Sequence, residues 1–368
     1  MTQVWTANSG TLVRRGYAID VFELGVTKPK LDNPESPTAD DNVGAAYGWN
    51  GVTLTVMNGD QTVPANTTWT NRLINGYVDM TDSTSRLINC VIAGRAPGGA
   101  FRAGLVNGAN GGYLERCTVR TTATSATYYM NGIRGTGGTW TIVRCDISRV
   151  VDGLRTSGSG GMQAFGCRMH DYSFWDTDND QAGDQTYPYW SHGDIGLQRT
   201  SGTSNTDRLE GCSVQGYFDV TGVVWSGGAW GSGTASGGLI GAPSTALNNG
   251  FPNRNYSNLV TYSSTQPYSG MVFLNNWFDG GNHPSGMVQM TVAGAHNFRL
   301  EGNRFGLGGK VGGAQNRIYL ATYASASTVN FGSNPNIFDN LPNVPTSLRG
   351  QAITFISSGA SVVPGDYS

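Results

Sequence analysis

Lysine is nearly absent from this sequence: of 23 basic residues only Lys28, Lys30 and Lys310 are lysine, and charged residues of both signs fill 13% of 368 positions. The formal net charge is −2 and no basic stripe exists. That argues against binding nucleic acid through phosphate neutralisation. No run approaches the roughly 18 consecutive apolar residues of a membrane span, so no membrane insertion is expected. The opening Met1-Thr2-Gln3-Val4-Trp5 lacks a basic and then apolar leader, which predicts synthesis in the cytoplasm without a signal peptide. None of the five cysteines forms a CxxC pair, so a zinc site has no basis. A GxxxxGK(S/T) phosphate loop is missing too, and four scattered histidines (His170, His192, His283, His296) support no Ser-His-Asp triad.

What the chain has in excess is glycine, 54 residues, together with 10% aromatics, enough for a large core. The cysteines sit in a shared context. Apolar residues lie three before and two after Cys90, Cys117, Cys145, Cys167 and Cys212, as in Leu114-Glu115-Arg116-Cys117-Thr118-Val119. Asn276 and Asn303 take the cysteine's place in two later copies, Asn334 in a weaker one, and Gly76 in an earlier one. Successive steps are 27, 28, 22, 45, 64, 27 and 31 residues. A unit of about 22 to 28 residues with short β runs and Gly, Asn and Ser punctuation fits one coil of a parallel β-helix. The 45 and 64 steps hold either two coils or one coil with a long loop. Strand alternation points positions 0 and +2 inward, with −3 also inward across a bend near −1. The cysteines and asparagines then form an internal ladder, with Cys serving as a small buried hydrophobe.

Residues 1–45 fall outside the rhythm and read as an N-terminal cap or attachment segment. The repeat body spans 46–340, interrupted by insertions at about 170–198 and 225–268, and 341–368 read as a C-terminal cap. Long loops of a solenoid gather on one face, where function concentrates.

The stretches Thr53-Leu54-Thr55-Val56-Met57-Asn58-Gly59-Asp60, Leu73-Ile74-Asn75-Gly76 and Arg86-Leu87-Ile88-Asn89-Cys90-Val91-Ile92 resemble the opening coils of pectate-lyase-like β-helix proteins. Such proteins are found among minor tail proteins of actinobacteriophages. Ser191-His192-Gly193-Asp194-Ile195-Gly196-Leu197-Gln198 is similar to their His-x-Asp-Gly-(Ile/Val)-Gln stretch, with Ile195 as one extra residue. The resemblance covers roughly residues 50–340. It implies an all-β, right-handed parallel β-helix in a virion tail, as a spike or fibre contacting host surface polysaccharide. It further implies a homo-oligomer, a trimer above all, joined to other tail proteins through the N-terminal segment. A polysaccharide lyase or glycoside hydrolase on the same scaffold is the alternative expectation, and a purely structural virion component is the second.

Three constellations could carry chemistry. Cleavage of a glycosidic bond needs two carboxylates, one acid and one base or nucleophile, and Asp194 and Asp171 are the candidates. His192, two residues from Asp194, would orient a group or shuttle a proton. Asp176, Asp178, Asp180 and Asp184 have the spacing of positions 1, 3, 5 and 9 of a calcium loop, although Gln181 and Tyr187 stand where its turn glycine and final glutamate belong. Calcium is the cofactor this spacing would suit. Trp175, Tyr189, Trp190, Trp225 and Trp230 could stack on sugar rings, or else fill a subunit interface.

Overall fold

The computed structural model describes residues 4–6, 11–13, 44, 52–94, 104–120, 131–148, 150, 152–170, 196–202, 207–216, 260–262, 268–280, 288–290, 297–306, 318–323, 327–340, 344, 346–353 and 360–363. Among them there are strands and no helices. Three long sheets, of ten, nine and ten strands, are each built from every third strand of the chain. Pairing within them is parallel, apart from the final strand Ala360–Val363, which joins Ile318–Tyr323 antiparallel. The chain is therefore a parallel β-helix. Each coil lays down one strand in a first sheet, one in a second and one in a third, as Asp146–Ser148, Asp152–Thr156 and Gly161–Phe165 do. The next coil sits one strand spacing, about 4.8 Å, further along.

The interior is one continuous column. On the first sheet Val119, Ile147, Met169, Val214, Phe278 and Phe305 stack in register and are buried. Val106, Ile133, Leu154, Leu197 and Val260 do the same on the second sheet, and Leu87, Leu114, Ile142, Ala164, Leu209, Phe273 and Leu300 on the third. Fully buried Trp140 fits because Gly108, Gly112 and Gly135 surround its ring. A Cβ on Gly108 or Gly112 would come within 2.8 Å of the indole.

The passage from third to first sheet carries one residue with positive φ. Asn89, Arg116, Arg144, Gly166, Gly211, Asn275 and Gly302 hold this place, one before each ladder residue, with φ from 49 to 65°. Asparagine and glycine suit that conformation, while Arg116 and Arg144 bear a cost of about 1 kcal/mol each. The sharp bend aims the ladder side chain into the interior, where two contacts recur along the stack. Its acceptor atom takes a backbone N–H from the ladder residue one coil earlier: Cys117 donates to Cys145 Sγ at 3.4 Å, Cys145 to Cys167 Sγ at 3.4 Å, Cys212 to Asn276 Oδ1 at 3.0 Å, and Asn276 to Asn303 Oδ1 at 3.0 Å. Its donor reaches back to a third-sheet carbonyl: Cys117 to Leu87 (3.4 Å), Cys167 to Ile142 (3.3 Å), Cys212 to Ala164 (3.5 Å), Asn276 to Leu209 (2.9 Å) and Asn303 to Phe273 (3.0 Å). Cysteine and asparagine are interchangeable here because each offers one acceptor and one donor on a short stem. Burial pushes the Cys145 and Cys212 thiols well above the ordinary range, so they stay protonated.

Two ladder assignments need correcting. The eighth copy is Asn336, not Asn334: Asn336 accepts the Asn303 N–H at 3.0 Å and donates to Leu300 at 2.8 Å. Phe338 then fills the inward +2 place, whereas Asn334 lies outside, its N–H donating to Glu301. At the other end, Leu73 and Ile74 pair with Val91 and Ile92 on the first sheet, so Gly76 belongs to the next corner and the ladder begins at Cys90. The opening coils are shorter than the expected unit. Thr55 pairs with Arg72 and Leu73 with Val91, giving coils of 17 and 18 residues. Each long step holds one coil: Arg168–His170, Leu197–Arg199 and Arg208–Glu210 for the 45 step; Ser213–Gly216, Val260–Tyr262 and Ser269–Leu274 for the 64 step. His170, Leu197 and Gln198 are thus strand residues, and Val260–Tyr262 is a second-sheet strand inside the segment expected to be an insertion.

Candidate functional site

The three corners of the coil differ. Third to first takes two residues in each coil from Asn89-Cys90 to Gly302-Asn303. First to second is where the chain leaves and returns: the connections are 95–103, 121–130, 171–196, 217–259, 281–287 and 306–317, bounded by the strands on either side apart from Ala93 and Gly94 in the first of them. The same corner closes with three residues between Ser148 and Asp152. The long connections are thus elective additions to a fixed frame, all on one edge.

Beside that edge the outer face of the first sheet is polar and buried. Thr118, Asp146, Arg168 and Ser213 are neighbours in register, as are Arg120, Ser148 and His170. All point away from the column by strand alternation, yet Asp146, Ser148, Arg168, His170, Ser213 and Asp279 are buried. His170 Nε2 lies 2.8 Å from Asp146 Oδ1 in the neighbouring coil. A buried carboxylate holding an imidazole fixes the ring's orientation and its tautomer, which is the preparation a general base or an orienting donor requires. Arg168, next to Asp146 in register, adds a permanent cation.

The second sheet carries an outward polar row: Asp79, Asn107, Arg134, Arg155 and Gln198 stand one above another. Arg155 reaches Asp152 at 3.1 Å, at the start of its own strand.

Asp171, Trp175, Asp176, Asp178, Asp180, Asp184, Tyr189, Trp190, His192, Asp194, Trp225 and Trp230 lie outside the described residues. Their places in the chain are the 171–196 and 217–259 connections, and Asp171 directly follows His170. Among the described residues no three His, Cys, Asp or Glu side chains gather as a metal site would require, and no helix is long and apolar enough to cross a membrane.

Sequence reasoning missed His170, Asp146, Arg134 and Arg155. The signal was available: each is polar at an odd offset from a ladder cysteine or at the second-sheet place facing outward, and Asp146 directly follows Cys145. It also missed Arg199, which ends the strand following the 171–196 connection and points into the column. Its Nε donates to Asp207 Oδ2 at 2.6 Å and Nη2 to Asp207 Oδ1 at 2.8 Å, with further bonds to the carbonyls of Gly158, Gly160 and Ser201. All its N–H groups are used, so this fully buried pair is a structural pin.

Comparison with known proteins finds no matching family model, no matching curated protein and no matching solved structure. The class rests on the fold: a parallel β-helix with elaborated connections along one edge.

Proposed function

We propose that this chain is a tail-associated virion protein, a spike or fibre, that turns its long-connection edge toward a host cell-surface glycan. The observation that carries the reading is the asymmetry of the coil. Between the strands of successive sheets from Thr55 to Phe338, connections of ten residues or more follow the first sheet alone, and the sheet faces beside them are lined with polar side chains suited to hydroxyl-rich ligands. The tryptophans, tyrosines and aspartates of 171–196 and 217–259 belong in sequence to these connections. The sequence resemblance to actinobacteriophage tail proteins supplies the virion context, and with it assembly as a homo-oligomer, a trimer above all, joined to other tail proteins through the N-terminal segment.

A second reading, a polysaccharide-cleaving enzyme on the same edge, is favoured by the Asp146–His170 contact. One experiment addresses both. The full chain is incubated with purified actinobacterial wall polysaccharide and with whole cells, and retention, new reducing ends and unsaturated products are measured. Retention without products supports the binding role. Products that disappear in His170→Ala or Asp194→Asn establish a depolymerase, and unsaturation marks a lyase. Neither retention nor products on any actinobacterial surface removes glycan contact.

A further inference from the structure

On the third sheet the outward arginines are neutralised where they stand. Arg208 Nε donates to Glu210 at 2.8 Å, Arg299 Nε to Glu301 at 2.6 Å, and Arg86 lies over the Tyr113 ring at 4.9 Å. The second sheet breaks that habit. Arg134 and Arg155 are direct neighbours in register on adjacent strands. Like charges so placed are destabilising. Asp152 binds Arg155, and among the described residues Arg134 has no carboxylate partner. Burial first, and the Arg155 guanidinium after it, pull Arg134 below its ordinary range. Asn107 and Gln198 continue the row on either side, so the two cations are framed by amides. Asn107 is oriented by donating to Gly104 at 2.7 Å. The two arginines stand on neighbouring strands, about 4.8 Å apart along the backbone, and a guanidinium is the planar fork that pairs with carboxylate or phosphate oxygens. The row lies on the sheet that receives the long connections.

We propose that the outer face of the second sheet, centred on Arg134 and Arg155, binds an anionic group of a surface glycan, either a uronate carboxylate or a phosphodiester. This rests on the glycan-contact reading above and names the chemistry of the ligand. The anion supplies Arg134 with a countercharge that no described residue gives it, so binding offsets its repulsion from Arg155 and weakens with salt.

The test is calorimetric titration of the full chain with polygalacturonate, with glycerol-phosphate teichoic acid and with neutral dextran, at low and raised salt. The first two separate carboxylate from phosphate. The expected result is salt-sensitive binding of at least one anionic polymer, none of dextran, and an affinity about tenfold lower in Arg134→Gln. Arg134→Gln should melt at or above the parent, because it removes a repulsion. Equal binding of dextran, unchanged affinity in Arg134→Gln, a lower melting temperature for that variant, or no binding of either anionic polymer overturns the proposal. Whole-cell binding run in parallel separates the two readings. Cells bound equally by parent and variant leave glycan contact standing while the anion site falls; cells not bound at all remove both.

Discussion

Two corners of the same coil have been treated oppositely. From third to first sheet the chain takes two residues in every coil from Cys90 to Asn303, the first always with positive φ and the second locked into a buried ladder. From first to second sheet it turns on three residues in one coil and on 43 in another. The difference lies in where the backbone's hydrogen bonds go. At the short corner the ladder side chain satisfies a buried N–H of one coil and a carbonyl of another, so an inserted residue would orphan both. At the long corner the flanking strands are held by their own sheets, so the described frame does not fix the length of the connection. Loop length is then cheap, about 0.6 kcal/mol per doubling. A solenoid that must keep its stack and still vary a surface does so at the corner without the ladder.

Changes that strike where the two corners meet the column should show this contrast most strongly. Arg199 pins the chain just after it returns from the 171–196 connection, and Arg199→Met leaves Asp207 buried and uncompensated. It should cost about 4 kcal/mol in chemical denaturation, part of which Asp207→Leu in the same chain restores. On the ladder, Asn303→Leu orphans the Asn276 N–H and the Phe273 carbonyl, and should cost about 3 kcal/mol. Asn303→Cys keeps a donor and an acceptor and should cost about a third of that. An equal loss in both variants would show that the ladder works by volume alone. At the other corner, replacing residues 220–256 by a short Gly/Ser linker should shift the melting temperature by only about 2 °C. The smallest effect concerns Glu301, which accepts the N–H groups of Ser333 and Asn334 at 3.1 and 3.0 Å and pairs with Arg299. These bonds, with the Asn334 N–H first, hold its carboxyl below the usual range. The folded form therefore gains stability above the ordinary glutamate range and loses it as pH falls through the depressed value. Melting curves between neutral and acid pH should slope slightly less in Glu301→Gln.

The fold was readable because the ladder leaves a chemical mark. A small inward residue at position 0, with apolar partners at −3 and +2, repeats whatever the loop lengths between, so cysteine and asparagine announced the coils from Cys90 onward. The coils of 17 and 18 residues before it carry no ladder residue, and their apolar pairs fall on different sheets from those they mimic. Asn334 and Asn336 both follow Phe331 closely, and it is the bonds of Asn336 to Asn303 and Leu300 that tell them apart. The candidate site was less legible. Asp146 and His170 meet across coils 24 residues apart in sequence, and Arg134 and Arg155 across 21, so their pairing appears once the register is known. The aspartates and tryptophans that drew notice in the sequence sit in connections whose residues fall outside the described structure.

The most direct test of the functional account is hydrogen–deuterium exchange of the full chain with and without purified wall polysaccharide of a bound actinobacterial host. The account predicts protection concentrated along the long-connection edge, in strands Asn131–Gly135, Asp152–Thr156 and Arg168–His170 and the segments that follow the first sheet, with the third sheet unchanged. Protection confined to the third sheet, or none under conditions where the polysaccharide is retained, would contradict it.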